Sequence, residues 1–304
     1  MPAARNAQRL MDRAVGFQEH GRLAEAEALY AQILGADPAH IQARHMLGVI
    51  RAQQQRFAEA ADLIGSVVLA APRDAAAWVN HAHVLGALGR HDVALESHNR
   101  AVALDPKNAQ AWNNRGNALQ ALGRLEEALE SYDWALSLEP ALMMALNNRG
   151  SVLQALNRPE AALAQYDQAL ARDAGNFLAH VGRGNALQKL IRYDAALHAY
   201  DHAIALVPQV APAWGSRGLA LQNLKRLDEA LASFRHAIAL APQRAELHIN
   251  LGLCHLLMGH WAEGWPLLEW RKKLTPPVEA PPFAQPLWTG AEDINAKTLL
   301  LYCE

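Results

Sequence analysis

The chain has 304 residues, a formal net charge of -2, 51% apolar residues and only 6% aromatic ones, enough for two ordinary domains or one long array. Charges of both signs are interspersed, which leaves no basic footprint for nucleic acid and no polybasic membrane patch. The two cysteines, Cys254 and Cys303, are too distant in sequence to suggest a disulfide framework and fit a reducing compartment. MPAARNAQRLMDR at the N-terminus lacks the apolar core of a signal peptide, and no apolar run approaches the ~18 residues that span a bilayer. A cytoplasmic location is therefore expected. Alanine and leucine carry most of the apolar content, which predicts an all-α fold of packed helices.

The chain is periodic. Pro38, Pro72, Pro106, Pro140, Pro208, Pro242 and Pro276 lie on one grid of 34 residues, and Ala174 is the only grid position without proline. After an N-terminal extension, 1–6, the grid defines eight units: 7–40, 41–74, 75–108, 109–142, 143–176, 177–210, 211–244 and 245–278. The clearest copy is AQAWNNRGNALQALGRLEEALESYDWALSLEP, from Ala109 to Pro140. It has two helical patterns, A and B, with a Gly-Arg turn between them.

Within the units, position 8 is alanine or glycine throughout, from Ala14 and Gly48 to Gly252, and position 20 runs from Ala26 to Gly264 in the same way. Such small residues let two antiparallel helices approach closely. Position 24 is large in most units (Tyr30, Ile64, Tyr132, Tyr166, Tyr200, Phe234, Leu268), with His98 the exception, and fills the space between neighbours. Gly21, Gly89, Gly123 and Gly259 suit a left-handed turn, as does Asn157. Gln55, Ile191 and Lys225 do not, so strain or a different turn is expected there. Proline at position 32 is expected to end helix B.

The period, the tryptophans Trp78, Trp112 and Trp214 at position 4, the small residues at 8 and 20 and the closing proline resemble the tetratricopeptide repeat family over residues 7–278. The resemblance implies a right-handed superhelical solenoid of antiparallel helix pairs, with helix A lining the concave face. Each unit then buries its apolar side only against its neighbours, and the ends need caps.

Helix A positions 2, 5, 6, 9, 12 and 13 are the candidates for that inner face. Units three to seven place neutral amides and one histidine on it: Asn80 and His83, then Asn113, Asn114, Asn117 and Gln120, then Asn147, Asn148 and Gln154, then Asn185 and Gln188. Asn250 follows in unit eight. An amide carries a donor and an acceptor together, matching the N–H and C=O groups of an extended peptide. The same side chains could instead serve as solvated surface or as repeat-to-repeat hydrogen bonds. Four position-6 asparagines at ~0.5–1.5 kcal/mol each would contribute roughly 2–6 kcal/mol before the cost of ordering the peptide. Weak, sequence-tolerant binding of an extended peptide is the expectation. A carboxylate clamp would need cations on this face, but position 5 has none except His45, and Lys189 is the only lysine at position 13.

Other chemistry finds little support. His81, His83, His91 and His98 cluster in unit three, but His81 and His83 are two apart and do not share a helix face. No HExxH and no Cys/His metal spacing occurs, so neither metal nor cofactor is expected. Gly182-Arg183-Gly184 sits inside a helix A and is no nucleotide loop, and Glu126, Glu127 and Glu130 form a solvated helix-B face.

Unit eight departs from the pattern with Gly264, Arg271 and the crowded Trp261, Trp265 and Trp270. Trp261 and Trp265 are four apart on one face, which suits a terminal cap or a docking face for a following domain. The segment 279–304 is expected to be a Pro-rich linker followed by a strand, 297–304, opening a truncated α/β domain. GHWAEGWPLLEWR (259–271), PPFAQPLWTG (281–290) and TLLLYCE (298–304) resemble the junction of bacterial repeat-containing glycosyltransferases of the O-linked N-acetylglucosamine transferase type. That resemblance implies an acceptor-recognition arm whose catalytic residues lie beyond Glu304, so the 304 residues alone are expected to be no enzyme. In that family an asparagine ladder holds acceptor peptides, and the position-6 asparagines look like it, although Met46, Gly182 and Ser216 interrupt the series. The alternative is a stand-alone scaffold that assembles with other proteins or with itself, through the Trp-rich end or the convex face.

Overall fold

The computed structural model describes residues 2–274, and side chains from residue 5. The expected linker and strand, 279–304, lie outside the described residues, as do the second and third segments of the glycosyltransferase-like junction. The described residues form sixteen α-helices and no strand. In chain order these are α1 (Pro2–Glu19), α2 (Leu23–Ala36), α3 (Ile41–Gln53), α4 (Phe57–Ala70), α5 (Ala75–Ala87), α6 (His91–Leu104), α7 (Ala109–Ala121), α8 (Leu125–Leu138), α9 (Met143–Ala155), α10 (Pro159–Arg172), α11 (Phe177–Lys189), α12 (Tyr193–Leu206), α13 (Ala211–Asn223), α14 (Leu227–Leu240), α15 (Ala245–Leu257) and α16 (Trp261–Leu268). A 3-10 helix, Glu269–Lys273, follows. Odd-numbered helices are the A helices and even-numbered ones the B helices. Residues 2–6, read as an extension, are the first turn and a half of α1.

The chain divides into two compact units, Met1–Ala174 and Gly175–Glu304. In the first, each A helix packs on its own B helix and each B helix on the next A helix. Helices α3 and α5 also touch, as do α7 and α9, and no two B helices do so to that extent among the described residues. A helices that meet while B helices splay apart put helix A on the inner side of the stack. The second unit repeats this: α11 meets α13, and α13 meets α15.

The packing code follows the sequence pattern closely. Tyr132 at position 24 of repeat four is fully buried against Gly116 at position 8. A Cβ added to Gly116 would lie 2.5 Å from Tyr132 Cε1, so the ring requires glycine there. Gly150 with Tyr166, Gly184 with Tyr200 and Gly218 with Phe234 repeat the arrangement. Repeat three pairs Ala82 with His98 instead.

The A–B turns are uniform. The backbone N–H of Arg124 bonds the carbonyl of Leu119 at 2.9 Å, and the equivalent bond closes every other turn, from Arg22–Phe17 to His260–His255. This is the bond of a Schellman stop, and it demands a left-handed residue. Gly21, Gly89, Gly123 and Gly259 supply it at φ 72 to 78°. Gln55, Asn157, Ile191 and Lys225 adopt the same geometry at φ 55 to 61°, so the sites without glycine keep the turn and take the strain. For a side chain such as Ile191 that costs about 1–2 kcal/mol.

The proline stop needs correction. Helix α10 ends at Arg172, in register with Leu138 of α8, although Ala174 stands where the other repeats have proline. The residue after each helix has left the helical region in nearly the same way, φ -139° and ψ 95° at Asp173 against φ -135° and ψ 87° at Glu139. Proline therefore reinforces a stop that the rest of the repeat already specifies. Position 34 marks the next start. His40, Asp74, Asn108 and Asn176 each accept a hydrogen bond from the backbone N–H three residues on, capping α3, α5, α7 and α11.

The candidate helix-A binding face

The amides of helix A are first of all partners of one another. In repeat four, the Tyr132 hydroxyl lies 2.8 Å from Asn117 Oδ1 and 3.1 Å from Gln120 Oε1, its single proton serving one oxygen at a time. Tyr200 repeats this with Asn185 Oδ1 at 2.8 Å and Gln188 Oε1 at 3.0 Å, and Tyr166 donates to Gln154 Oε1 at 3.2 Å. Burial raises the pKa of all three phenols, so they are protonated donors at neutral pH.

A second set of bonds links successive A helices. Asn148 Nδ2 donates to Asn113 Oδ1 at 3.1 Å and to Asn117 Oδ1 at 2.9 Å. Two junctions earlier, between repeats two and three, Asn80 Nδ2 donates to His45 Nε2 at 2.9 Å, joining position 6 to position 5 of the preceding repeat as Asn148 and Asn113 do. His45 can accept there only as a neutral imidazole, and burial lowers its pKa accordingly. Gln120 Nε2 reaches Ser151 Oγ at 3.5 Å.

These bonds decide what each amide can still offer. Asn113 is 1% exposed, accepts from Asn148 and donates to Asn114, so it acts by orienting its neighbours. Asn117 is exposed and Asn185 half-buried; the bonds to their oxygens leave Nδ2 as the outward donor. Asn80 and Asn148 use Nδ2 internally and keep Oδ1 for a ligand. Asn114 accepts from Gln110 at 2.9 Å and retains its Nδ2. His83 is exposed, while Gln120, Asn147, Gln154, Gln188 and Asn250 are half-buried. Donors left at Asn117, Asn185 and Asn114 and acceptors left at Asn80 and Asn148 supply both of the groups that an extended backbone requires. Asn80, His83, Asn113, Asn114, Asn117, Gln120, Asn147, Asn148 and Gln154 belong to the first compact unit; Asn185, Gln188 and Asn250 belong to the second.

Two hollows open on the helix-A side of the first unit, and His83 lines both. One, of about 230 Å³, lies beside Ile64 and is also lined by Val49, Asn80 and Val84. The other, of about 320 Å³, lies between α5, α6 and α7. Small residues make its walls, and His83, His91, His98, Asn114 and Asn117 are its polar groups. Both sit where position 24 is not a tyrosine. His98 is 6% exposed, and its Nδ1 is buried without a hydrogen-bond partner. Burial, reinforced by the nearby His83 and Arg115, lowers its pKa to about 4, so the ring is neutral at pH 7. Among the described residues, no group of three or more His, Cys, Asp or Glu side chains is placed to hold a metal ion. None of the described helices is long and apolar enough to cross a membrane.

The three C-terminal tryptophans separate into two kinds. Trp270 stacks on His248, ring centroids 3.7 Å apart and planes 3° apart, with Lys273 Nζ 3.7 Å from its ring centroid. Trp261 and Trp265 are 58% and 54% exposed, one turn apart on α16. Pro266 lies inside that short helix.

Sequence reasoning missed one recurring device. Arg115 at position 7 donates to Asn99 of the preceding B helix at 2.7 Å and to Ser131 of its own B helix. Arg149 pairs with Asp133, and Arg217 with Asp201 and Ser233, in the same register. Arginine at position 7 and Asp or Asn at position 25, read together down the alignment, carry that signal. Position 4 is similar: the indole N–H groups of Trp78, Trp112 and Trp214 donate to the carbonyls of Pro72, Pro106 and Pro208 at 2.9 to 3.0 Å.

Comparison with known proteins agrees with this geometry. Sequence models of the tetratricopeptide repeat match residues 17–80, 82–123, 109–142, 147–211, 181–245 and 217–263. No curated protein matches the chain. Among solved structures, PilW, a widely conserved type IV pilus biogenesis factor, is 24% identical, with a TM-score of 0.62 over 67% of this chain and 95% of its own. A tetratricopeptide repeat protein from Parabacteroides merdae is 17% identical, with a TM-score of 0.65 over 82% of this chain and 99% of its own. YrrB, described as a repeat protein with an unusual peptide-binding site, is 22% identical, with a TM-score of 0.51 over 66% of this chain and 99% of its own. At these identities the likeness is one of fold. With matches to the repeat from residue 17 to residue 263, interrupted only at 81 and 143–146, the chain belongs to the tetratricopeptide repeat family.

Proposed function

We propose that this repeat scaffold holds an extended segment of another protein along its helix-A face. The observation that carries the reading is the split use of the amides. Within the first compact unit, internal bonds fix Asn117 with its donor outward, and Asn80 and Asn148 with their acceptors outward. Side chains held this way lose little entropy when they bind a backbone. The peptide-binding site described for YrrB supports the reading by likeness of fold.

The test is a titration of the full chain with a panel of extended peptides, followed by Asn114→Ala. Asn114 keeps an amide donor for the ligand, and its loss should weaken binding about 2- to 12-fold, the equivalent of ~0.5–1.5 kcal/mol. Unchanged affinity in a variant with an unchanged melting temperature would remove the amides from the binding surface.

A narrower reading, the acceptor-recognition arm of a glycosyltransferase, is supported by the resemblance of 259–271, 281–290 and 298–304 alone. On that reading the exposed Trp261 and Trp265 would meet the catalytic domain. The reading frame after codon 304 tests it: continuation into a glycine-rich turn and a further α/β domain supports it, and a stop codon ends it.

A further inference from the structure

We propose that His45 is a positioning residue of the binding face: its protonation state sets whether Asn80 offers the bound segment an acceptor or a donor. The inference rests on the helix-A face being the binding surface, and adds to it a dependence on pH.

The reasoning starts from two junctions built alike. Between repeats two and three, Asn80 Nδ2 donates to His45 Nε2 at 2.9 Å; between repeats four and five, Asn148 Nδ2 donates to Asn113 Oδ1 at 3.1 Å. In both, an asparagine at position 6 turns its donor inward because position 5 of the preceding repeat accepts. The acceptors differ in kind. The Asn113 oxygen accepts at any pH, whereas an imidazole nitrogen accepts only until it is protonated.

The surroundings of His45 fix its neutral form. The ring is buried, and Asp74 Oδ2 lies 3.9 Å from its Nδ1. The other Asp74 oxygen is held by the Ala77 N–H at the start of α5. A carboxylate on that side favours the neutral tautomer with its proton on Nδ1, which leaves Nε2 to accept from Asn80. Burial lowers the pKa of His45 and outweighs the opposing pull of Asp74; among the described residues no charged group of α2 or α4 acts on the ring comparably. His45 is therefore neutral at pH 7 and takes up its proton below the ordinary histidine value of 6.5.

Once charged, the ring donates from Nε2 as well, and its bond to Asn80 survives only if the amide turns over. The rotation exchanges two groups of nearly equal size. It places Oδ1 on the imidazolium and turns Nδ2 outward. Asn80 is half-buried and lines the hollow of about 230 Å³ on the helix-A side, so its outward group meets the bound segment. Asn80 thus offers an acceptor to a backbone N–H above the His45 midpoint and a donor to a backbone C=O below it. Asn148 offers an acceptor throughout.

Nitrogen NMR of the full, isotope-labelled chain tests this. Between about pH 8 and about pH 5, the range in which histidines titrate, His45 Nε2 should pass from an unprotonated to a protonated signal. The Asn80 amide signals should shift at the same midpoint, and their exchange with water, measured against the Asn148 amide, should rise at least 3-fold. His45→Asn gives the junction the residue that repeats four and five carry at position 5, and should abolish the Asn80 changes at an unchanged melting temperature. The wild-type spectra decide the matter even without the variant. In binding, blocked peptides without ionisable side chains are titrated about one pH unit either side of the midpoint, where a hydrogen bond gained or lost is worth about 2- to 12-fold. Wild-type affinity should change at least 2-fold more than that of His45→Asn.

An Asn80 amide that keeps its environment while His45 titrates would overturn the proposal, as would a His45 that stays neutral until the chain unfolds. Equal pH profiles of peptide binding in the two proteins would overturn it as well. Its failure is separable from that of the binding face. Peptides that depend on Asn114 while the Asn80 amide stays fixed would sink the inversion alone. An amide that turns over with His45, with no effect of Asn114→Ala on any peptide, would support the inversion and sink the amide reading of the face.

Discussion

Repeats three and four share a backbone and differ in how they fill it. Repeat four closes its interior with Gly116, Tyr132, Asn117 and Gln120, in which a buried ring demands glycine and a buried hydroxyl finds two amide oxygens. Repeat three has Ala82, His98, His83 and Gly86 at the same four positions. Its turn and its A–B packing are unchanged, yet its interior holds a hollow and an unpartnered imidazole nitrogen. The scaffold therefore tolerates a large change at one site because each repeat contacts only its immediate neighbours, which keeps the change local. An individual repeat can be specialised without cost to its neighbours' geometry.

The largest effect that would sharpen this comparison is acid sensitivity centred on repeat three. His98 titrates near 4 in the folded chain, against about 6.5 when unfolded. The unfolded state therefore binds more protons between these values. Its contribution is fully present above pH 6.5 and is lost as pH falls toward 4. At 1.36 kcal/mol per pKa unit the loss is about 3 kcal/mol. Burial lowers the pKa of His45 and His81 as well, so they add to the slope with the same sign. Denaturant unfolding of the wild type and of His98→Tyr at pH 7 and pH 4.5 measures it. The variant, which gives repeat three the tyrosine of repeat four, should lose much of the slope. An equal slope in both proteins would mean that His98 is not the acid-sensitive group.

The next effect runs the comparison in reverse. Gly116→Ala places a Cβ 2.5 Å from a ring that is fully buried and cannot retreat. The strain should exceed the gain in helix propensity and leave a net loss of about 1–3 kcal/mol. Ala82→Gly, at the same position of repeat three, meets no such ring and should cost only about 1 kcal/mol through propensity. Equal losses in thermal unfolding would show that the glycine–tyrosine contact does not distinguish the two repeats.

Much of the architecture was legible in the sequence, because helix pairing depends on residue size at fixed positions. The 34-residue grid, the small residues at 8 and 20 and the large residue at 24 specify which helices meet. The face was legible as a set of amides, but their use was not. Asn113 and Asn114 are adjacent and identical in type, yet one is 1% exposed and bonded at both ends while the other keeps a donor for a ligand. That distinction comes from partners up to 35 residues away, which a list of residue types does not pair. The proline stop misled for a related reason. Proline recurs at position 32, but α10 ends in register without it, so recurrence marked a reinforcing residue rather than the cause.

The smallest effect tests whether the internal network can be completed where it is broken. Repeat seven has Phe234 at position 24 and still carries Gln222 at position 12, the residue that accepts from tyrosine in repeats four, five and six. Gln222 Oε1 is buried without a hydrogen-bond partner, as expected when the hydroxyl is absent and the amide remains. Phe234→Tyr supplies the missing donor on a ring that already sits 2.5 Å from the Cβ direction of Gly218, as Tyr132 does over Gly116. The gain should be about 0.5–1.5 kcal/mol, the net worth of one hydrogen bond, plus relief of a desolvated acceptor. Gln222→Leu in the Phe234 background removes the orphaned oxygen by the opposite route and should also stabilise. If both substitutions destabilise in denaturant unfolding, the position-12 glutamines are retained for the binding face, and the tyrosine bond in the other repeats is secondary to that use.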